Sequence, residues 1–343
     1  FMKLLVTGGA GFIGSHTCLV LLEKGYEIVV IDSFVNSNEK SVKRVIEILK
    51  TDKISRNIKI LIADIRDKKV LDNLFLSAEI EGKPFQSVIH FAGLKAVKDS
   101  ICNPLQYWDS NVNGAVNLLR VMNKYGCRTI VFSSSASIYG ISNNNSLKEN
   151  APINPINPYG KTKATIEQIL NDIFYSNPDE WRIANLRYFN PIGAHPSGMI
   201  GESPLGVPSN IFPVITQVAA GKLDKLTIFG DNWPTPDGTG IRDYIHVMDL
   251  AEAHIAALQY IHENENQIIT LNVGTGIGTS VLELINTFER VNNLKIPIEF
   301  SSRREGDTCK LIADNTLAMS CLGWSPERDL NEMCIDGWKW QSL

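Results

Sequence analysis

A short apolar run near the start of the chain ends in a glycine-rich turn, and this feature constrains everything that follows it. Residues 3–7 have the length of a strand, and glycines follow at positions 8, 11 and 14. Apolar residues then recur at helical spacing as far as Leu22. The pattern predicts a strand, a tight turn and a helix whose open N–H groups face an anion such as a pyrophosphate.

The three glycines have separate mechanical roles in such a turn. Gly8 permits the tight turn, Gly11 lets the backbone approach a pyrophosphate, and Gly14 lets the helix pack closely on the strand. Gly25 follows the helix, where a glycine commonly ends one. Because many glycine patterns are plain turns, the interpretation also depends on the next strand.

An acidic residue ends that second predicted strand. Residues 27–31 form an apolar run, and Asp32 follows it directly. A carboxylate roughly 20 residues beyond the glycines accepts hydrogen bonds from an adenosine ribose and disfavours a 2′-phosphate. The sequence therefore predicts that the bound nucleotide is NAD rather than NADP.

Strands and helices alternate as the chain continues. Apolar runs predict strands at residues 58–62, 87–91 and 129–132. Apolar residues at helical spacing predict helices at 39–50 and 103–125. Such alternation is typical of a parallel sheet covered by helices on both faces, so the sequence predicts an α/β fold.

Polar or small residues directly follow these strands. They are Asp32, Asp64, Ala92, Gly93 and the serine triplet 133–135. Ligands of open parallel sheets gather at the carboxyl ends of the strands. We therefore expect these residues to lie together at one edge of the sheet and to surround a ligand.

A loop that leads into a helix supplies a second group of polar residues. Asn157 suits the N-cap and Pro158 the first helical position, so Tyr159 and Lys163 lie one turn apart on one face. Alone, this spacing is more often part of a surface helix. Its place after a strand that ends in serines favours catalysis instead, because a nearby ammonium lowers the pKa of a phenol, about 10 when unperturbed.

Composition and charge exclude several other classes. The formal net charge is −4 and no long basic run occurs, so nucleic acid is not an expected partner. No apolar stretch has membrane-spanning length, and the start does not resemble a signal peptide. The six cysteines are scattered without a CxxC pair, which is typical of reduced thiols in a cytoplasmic protein and predicts no metal site.

Characteristic segments in order along nearly the whole chain carry a family resemblance. They are Thr7–Gly14, His90–Val97, Asn111–Gly114, Ser133–Ala136, Tyr159–Lys163, Leu186–Pro191, Gly193–Gly198, Asp237–Asp249 and Arg303–Asp307. Together they resemble the extended short-chain dehydrogenases/reductases, and among these the UDP-galactose (UDP-glucose) 4-epimerases. The resemblance implies a Rossmann-type doubly wound parallel sheet with a smaller α/β substrate domain.

The resemblance implies an NAD site and a catalytic group. The catalytic residues would be Ser135, Tyr159 and Lys163, with Tyr159 as the proton acceptor. The residues implied for cofactor binding are Gly8, Gly11, Phe12, Ile13, Gly14, Asp32, Ser33, Asn36, Ser37, Asp64, Ile65, Phe91, Ala92, Gly93, Lys95, Asn111, Ser133, Tyr159, Lys163, Tyr188 and Phe189.

The resemblance also implies a site for UDP-glucose or UDP-galactose. Its residues would be Lys95, Ser135, Tyr159, Asn190, Asn210, Ile211, Thr227, Phe229, Arg242, Arg304, Asp307 and Leu311. Without the family, Arg242 would be interpreted as a surface residue and Phe229 as a core residue. We expect residues 2–189 to form the NAD-binding domain, with a return segment at about 243–275 that begins as a helix over 243–261. Residues 190–242 and 276–343 would form the substrate domain.

Two other functions are compatible with parts of the sequence. A sugar-nucleotide 4,6-dehydratase or decarboxylase of the same superfamily needs an acid just after the strand-end serine, where this chain has Ala136 and Ser137. A non-catalytic NAD-binding regulator typically lacks the tyrosine, and Tyr159 is present here. The resemblance favours the epimerase over both.

The family also suggests a substrate gate and an oligomeric state. Leu311 occupies the position where a tyrosine restricts relatives to glucose and galactose, whereas smaller residues admit N-acetylated sugars. Leucine is smaller than tyrosine, so additional, weaker turnover of UDP-N-acetylhexosamines is expected. Helices at 103–125 and 159–174 match the positions that pair two subunits in relatives, so we expect a homodimer.

Overall fold

A computed structural model of the chain describes residues 2–49, 57–142, 146–206, 208, 210–304 and 306–343. Its strands are β1 (Lys3–Thr7), β2 (Glu27–Asp32), β3 (Ile58–Ile62), β4 (Ser87–His90), β5 (Thr129–Ser135), β6 (Arg182–Tyr188), β7 (Asn190–Ile192), β8 (Leu226–Phe229), β9 (Ile241–Arg242), β10 (Tyr244–His246), β11 (Ile268–Val273), β12 (Thr279–Ser280), β13 (Ile298–Ser301) and β14 (Lys310–Leu311).

The helices follow the strands in regular alternation through the first half of the chain. They are α1 (Phe12–Glu23), α2 (Glu39–Leu49), α3 (Lys68–Ile80), α4 (Val97–Cys102), α5 (Pro104–Tyr107), α6 (Gly114–Lys124), α7 (Pro158–Ser176), α8 (Ile211–Ala219), α9 (Val247–Glu263), α10 (Val281–Asn292), α11 (Thr316–Leu322) and α12 (Leu330–Ser342). In the described ranges, no helix combines the length and the apolar character needed to cross a membrane.

Seven parallel strands form the central sheet, in the order β11-β6-β5-β4-β1-β2-β3. The strand order reverses between β1 and β4, which opens a crevice at the carboxyl ends of these strands. The doubly wound parallel sheet predicted from the sequence is therefore confirmed.

Strand β1 explains why the sheet needs helices on both faces. All five of its residues are buried, and successive side chains point to opposite faces. Leu4 packs into an apolar cluster with residues of α1 and α9, whereas Leu5 packs into a cluster with Phe75 and Leu118 on the other face. A continuous apolar run is thus buried on both faces of the sheet.

Three small sheets lie outside the central one. Strands β7 and β10 pair, β8 pairs with β13, and β12, β9 and β14 form a three-stranded sheet. A separate apolar cluster packs α8, α10 and α12 together, with Phe212, Phe288 and Met333 among its buried members. This cluster provides a second core around the segments that the sequence predicts to bind substrate.

The helix expected over 103–125 is divided in the structure. A π-helical turn, Trp108–Asn113, separates α5 from α6. Within this turn Asn111 is buried, and its side chain accepts from the Leu94 N–H at 2.8 Å and donates to the Leu94 carbonyl at 3.0 Å. The wider turn holds this amide inside the protein, and π turns of this kind are frequent at functional sites.

Two other predicted helices have different bounds in the structure. The helix expected over 39–50 is present as Glu39–Leu49, and residue 50 lies outside the described residues. The helix expected over 243–261 begins only at Val247, because Tyr244–His246 pairs with β7 as β10. Asp243 lies before that strand, and its carboxylate accepts hydrogen bonds from the N–H groups of Thr275, Gly276 and Ala313.

A buried ion pair joins α7 to the central sheet. Arg187 on β6 donates to both carboxylate oxygens of Glu167 on α7, at 3.0 Å from Nε and 2.7 Å from Nη2, and each side chain is 7% exposed. The Ser134 hydroxyl on β5 donates to the same carboxylate. A bidentate pair of this kind fixes the orientation of the helix on the strands.

Removal of one charge from this pair is expected to destabilise the fold strongly. Glu167→Gln leaves the Arg187 guanidinium buried without its partner, so the free energy of unfolding should fall by about 3–5 kcal/mol. Denaturant unfolding followed by circular dichroism measures the change. The matched control is Glu180→Gln, which removes the half-exposed partner of Arg128 and should cost less than about 1 kcal/mol. Equal losses in the two variants would contradict this account of the pair.

Candidate active site

Two glycines of the first turn are required by close packing. Gly8 has φ +69°, and a Cβ at this position would lie 2.6 Å from the Ala92 nitrogen at the end of β4. A Cβ at Gly14 would lie 2.4 Å from the Gly8 carbonyl oxygen. At Gly11, in contrast, an added Cβ would meet the Gly8 oxygen only at 3.4 Å, so this backbone has more room for a ligand.

A cavity of about 450 Å³ lies at the carboxyl ends of the central strands and brings most of the predicted cofactor residues together. Those in its lining are Gly8, Gly11, Phe12, Ile13, Gly14, Asp32, Ser33, Asn36, Ser37, Asp64, Ile65, Phe91, Ala92, Gly93, Lys95, Ser133, Tyr159, Lys163 and Tyr188. The predicted residues Asn111 and Phe189 are buried outside this lining, Asn111 behind Leu94.

The residues at one end of the cavity fit a dinucleotide. Helix α1 begins at Phe12, and its N-cap residue, Gly11, offers no side-chain cap, so the N–H groups of the first turn remain available to a diphosphate. The Asp32 carboxylate is held by the Ala10 N–H at 3.0 Å, the Phe34 N–H at 2.9 Å and the Ser37 hydroxyl at 2.7 Å. This carboxylate has spare acceptor capacity toward a ribose hydroxyl and would repel a 2′-phosphate.

The acidic residue at the end of β3 is neutralised by its neighbour. Arg66 forms a bidentate pair with Asp64, with Nη2 at 2.7 Å from the carboxylate, and also donates to Asp109 at 2.7 Å. The hydrogen bonds from Arg66 hold the pKa of Asp64 below its usual value. A group bound at this part of the cavity therefore meets a fixed ion pair rather than an isolated carboxylate.

Lys163 points from α7 toward the end of β5. Its ammonium donates to the Ser133 carbonyl at 2.7 Å and lies 5.0 Å from the centre of the Phe132 ring. Burial lowers the pKa of Lys163 to about 8, although the Glu167 carboxylate acts in the opposite direction. The ammonium is 5.9 Å from the centre of the Tyr159 ring, so the two predicted catalytic side chains lie together.

Ser135 and Lys95 complete the surroundings of the Tyr159 phenol. Burial raises the pKa of Tyr159, whereas its hydrogen bond with Ser135 and the positive charge of Lys95 lower it. The Ser135 hydroxyl is itself held at 3.1 Å by the Ser137 N–H. The positive charge of Lys95 thus opposes the effect of burial on this phenol.

Part of the cavity wall was not predicted from the sequence. Arg44 on α2, Trp340 on α12 and the segment 201–204 all line the cavity. Glu202 in that segment forms an ion pair with Lys95, at 3.0 Å. No local pattern marks these residues, since Trp340 is far along the chain from every predicted cofactor residue.

Lys95 and Tyr159 line the cavity, whereas the other residues predicted to bind substrate form smaller groups outside its lining. Arg242 on β9 forms an ion pair with Asp307, and Leu311 on β14 is its register partner. The Arg304 guanidinium stacks on the Phe229 ring, 3.8 Å from its centre.

The remaining predicted substrate residues are placed differently. Asn210 is the N-cap of α8, which Ile211 begins, and its amide donates to Glu202 at 3.4 Å. The Thr227 hydroxyl donates to Glu299 on the neighbouring strand, at 2.9 Å. Within the described residues, the buried amide oxygen of Asn190 has no hydrogen-bond partner, so it is available to a ligand.

The described residues contain no candidate metal site. Among the residues that the structure describes, no group of three or more His, Cys, Asp and Glu side chains could hold a metal ion.

Comparisons with known proteins agree with this geometry. A family model described as GDP-mannose 4,6 dehydratase matches residues 5–336. The UDP-glucose 4-epimerase of Bacillus subtilis (strain 168) is 49% identical over 341 residues, which cover 99% of this chain and 97% of that protein.

Solved structures give the same result. The crystal structure of a UDP-glucose 4-epimerase from Stenotrophomonas maltophila, with bound NAD and formylated UDP-arabinopyranose, has a TM-score of 0.94 and 46% identity, over 100% of this chain and 98% of that one. A UDP-glucose 4-epimerase from Bifidobacterium longum, in complex with NAD+ and UDP, has a TM-score of 0.91 and 40% identity, over 99% and 98%.

The family model and the relatives agree over nearly the whole chain, and the resemblance inferred from the sequence motifs is confirmed. This protein belongs to the extended short-chain dehydrogenase/reductase family and, within it, to the UDP-glucose 4-epimerases.

Proposed function

We propose that this protein interconverts UDP-galactose and UDP-glucose by transient oxidation of the sugar at C4, with NAD as a bound cofactor. The proposal is carried by the position of Tyr159 and Lys163 on one wall of the dinucleotide cavity, with Ser135 hydrogen-bonded to Tyr159. The epimerase relatives support it, since two of them are crystallised with NAD.

The chain's own residues supply the proton chemistry. NAD, when bound, supplies the reversible two-electron acceptor that oxidation of C4 requires. Tyr159 Oη takes the proton of the C4 hydroxyl and later returns it, and Ser135 Oγ holds that hydroxyl and shares the proton. The charge of Lys95 favours the phenolate, and Lys163, whose ammonium lies 5.9 Å from the centre of the Tyr159 ring, would add to this effect together with the cationic nicotinamide and would bind the nicotinamide ribose.

The nucleotide and the sugar make different demands on the site. The 4-keto sugar has to turn about its phosphate linkage so that C4 presents its other face, which requires a firm hold on UDP and a loose one on the sugar. Phe229 packs on the uracil, Asp307 binds the uridine ribose, and Arg242 and Arg304 pair with the diphosphate. Residues 190–242 and 276–343 form this substrate-binding part of the protein.

A dehydratase or decarboxylase reaction has less support. Those reactions need an acid beside the strand-end serine to act on the neighbouring carbon. In this chain a short 3₁₀ turn, Ala136–Ile138, follows Ser135, and it carries no carboxylate. The epimerase reaction needs no such group.

The surface between α6 and α7 suits a second copy of the chain. A groove between these helices is lined by apolar side chains that include Leu119, Ile169, Ile173 and Trp181. The chain forms a homodimer through this face. Six free cysteines suit a reducing compartment, so the protein acts in the cytoplasm.

One experiment tests the proposed reaction directly. The purified protein is incubated with UDP-galactose without added NAD, and the sugar products are identified by chromatography. UDP-glucose is expected, because the cofactor stays bound and is restored in every turnover. Acid denaturation of the same protein should release NAD, and a supernatant with NADP or no nucleotide would contradict the proposal.

The phenol oxygen of Tyr159 is expected to be essential for turnover but not for binding. Tyr159→Phe removes the proton acceptor and should lower kcat by about 10²- to 10⁴-fold. The affinity for UDP-glucose, measured by calorimetry, should change little, because other residues hold the nucleotide. The control is Tyr175→Phe, an exposed tyrosine on the same helix. Turnover near the wild-type rate in Tyr159→Phe would remove this residue from the reaction.

Arg304 is expected to contribute strongly to the affinity for UDP. Arg304→Ala removes a charge-assisted contact, so the Kd for UDP should rise by about ten- to hundredfold. Arg303→Ala is a matched control, because its guanidinium stacks on Trp233 at 3.9 Å in the same way. If calorimetry gives the same affinity in both variants and the wild type, Arg304 does not bind the diphosphate.

Leu311 is expected to set which sugars are accepted. It packs against the apolar cluster that contains Ala136 and Phe189, and Ala136 follows Ser135 directly in the chain. Leu311→Tyr should fill space near the sugar and lower kcat/KM for UDP-N-acetylgalactosamine about tenfold relative to UDP-galactose. Leu317→Tyr on the surface of α11 is the control. An unchanged ratio in Leu311→Tyr would show that the gate lies elsewhere.

A further inference from the structure

Four residues on the wall of the dinucleotide cavity form a chain of contacts, and three of them, all except Lys95, belong to no nucleotide-binding motif in the sequence. They are Arg44 on α2, Lys95 after β4, Glu202 and Trp340 on α12. All four line the cavity, although they come from four distant parts of the chain. We refer to this group as the clasp.

The Trp340 indole holds the segment that contains Glu202. Its Nε1 donates to the Glu202 carbonyl at 2.9 Å. The ring also lies against Gly201, since a Cβ there would come within 2.4 Å of the indole carbons Cγ and Cδ1. A side chain at residue 201 would displace the indole, so this close contact requires glycine.

The same indole also reaches the nucleotide-binding side of the protein. The Arg44 guanidinium lies 5.1 Å from the centre of the Trp340 ring, within the range of a cation–π interaction. Arg44 is on α2, the helix that follows the segment held by Asp32. Trp340 thus bridges α2 and the segment around Glu202.

The Glu202 side chain makes the second connection. Its carboxylate is only 10% exposed and accepts from the Lys95 ammonium at 3.0 Å. The attraction of Glu202 raises the pKa of that ammonium. Glu202 is thus tied to α12 through its backbone and to the end of β4 through its side chain.

A neighbouring tryptophan shows what a purely structural role looks like. Trp338, also on α12, packs edge-on against Phe288 at 6.0 Å in the second apolar core. It does not line the cavity, whereas Trp340 does. The contacts of Trp340 therefore do more than attach α12 to the protein.

We propose that the clasp closes the dinucleotide cavity and slows the release of NAD. This inference rests on the proposed function, in which NAD is restored in every turnover and has no need to leave. The clasp joins both sides of the cavity through contacts among the protein's own residues, so a dinucleotide can leave only after those contacts break. Loss of these contacts should raise the rate of NAD release while the fold changes little.

Release of NAD can be measured without any sugar. Protein carrying NAD is diluted into buffer with alcohol dehydrogenase and ethanol, which reduce free NAD only, and NADH absorbance gives the release rate. Trp340→Phe keeps a ring but loses the indole N–H, and Arg44→Met loses the cation. Each should release NAD about two- to tenfold faster than the wild type.

Two control variants keep the test specific. Trp338→Phe changes the other tryptophan of α12, and Lys43→Met removes the neighbouring cation of α2, which pairs with Glu39 at the surface. Both should release NAD at the wild-type rate. Wild-type release in both clasp variants, or equal acceleration in the controls, would overturn the proposal. If Trp340→Phe does not fold, the rate of NAD release from Arg44→Met alone decides the test.

The proposed function is tested separately by UDP-galactose turnover of the wild type. If the wild type turns over UDP-galactose but the clasp variants release NAD at the wild-type rate, the clasp proposal is wrong and the proposed function stands. If the clasp variants release NAD faster but the wild type does not turn over UDP-galactose, the clasp is supported as a set of binding contacts and the proposed function is contradicted.

Discussion

The buried ion pair between Glu167 and Arg187 is the interaction on which the geometry of the active site depends. It fixes α7 on the central sheet, and Ser134 adds a third connection to the same carboxylate. Tyr159, Lys163 and Glu167 follow one another at intervals of four residues, so they lie along one face of that helix. Orientation of Glu167 therefore also orients the phenol and the ammonium toward the end of β5. A rotation of α7 would move all three side chains together.

The same carboxylate influences the charge of the site. A lysine buried this deeply tends to lose its proton, and burial lowers the pKa of Lys163 to about 8. Glu167 opposes that shift, yet it forms its direct pair with Arg187 instead of Lys163. The ammonium of Lys163 is then bound to the neutral Ser133 carbonyl and keeps further N–H donors for a ligand. An ion pair in the interior thus serves both the position and the protonation of a neighbouring side chain.

Local patterns in the sequence predict most of the fold. The features that they do not predict depend on contacts between segments distant in the chain. A few neighbouring residues are enough to predict the glycine turn, the strand-end Asp32 and the spacing of Tyr159 and Lys163. The π-helical turn at Trp108–Asn113 was not predicted, because helical periodicity continues through it. Contacts such as that of Trp340 with Glu202 depend on segments that fold together only in three dimensions. The late start of α9 has the same origin, since the sheet partner of β10 lies far away in the chain.

The distribution of contacts also bears on how one site can act on both faces of a sugar. Most of the predicted cofactor residues surround one cavity, whereas Arg242 with Asp307 and Arg304 with Phe229 form compact pairs outside its lining. Each pair is already ordered by its own contacts, so the nucleotide that we propose to bind there would lose little affinity to the ordering of side chains. In the proposed reaction the ordered pairs hold only the UDP part of the substrate. The sugar is then attached through its phosphate linkage alone and remains free to turn about it.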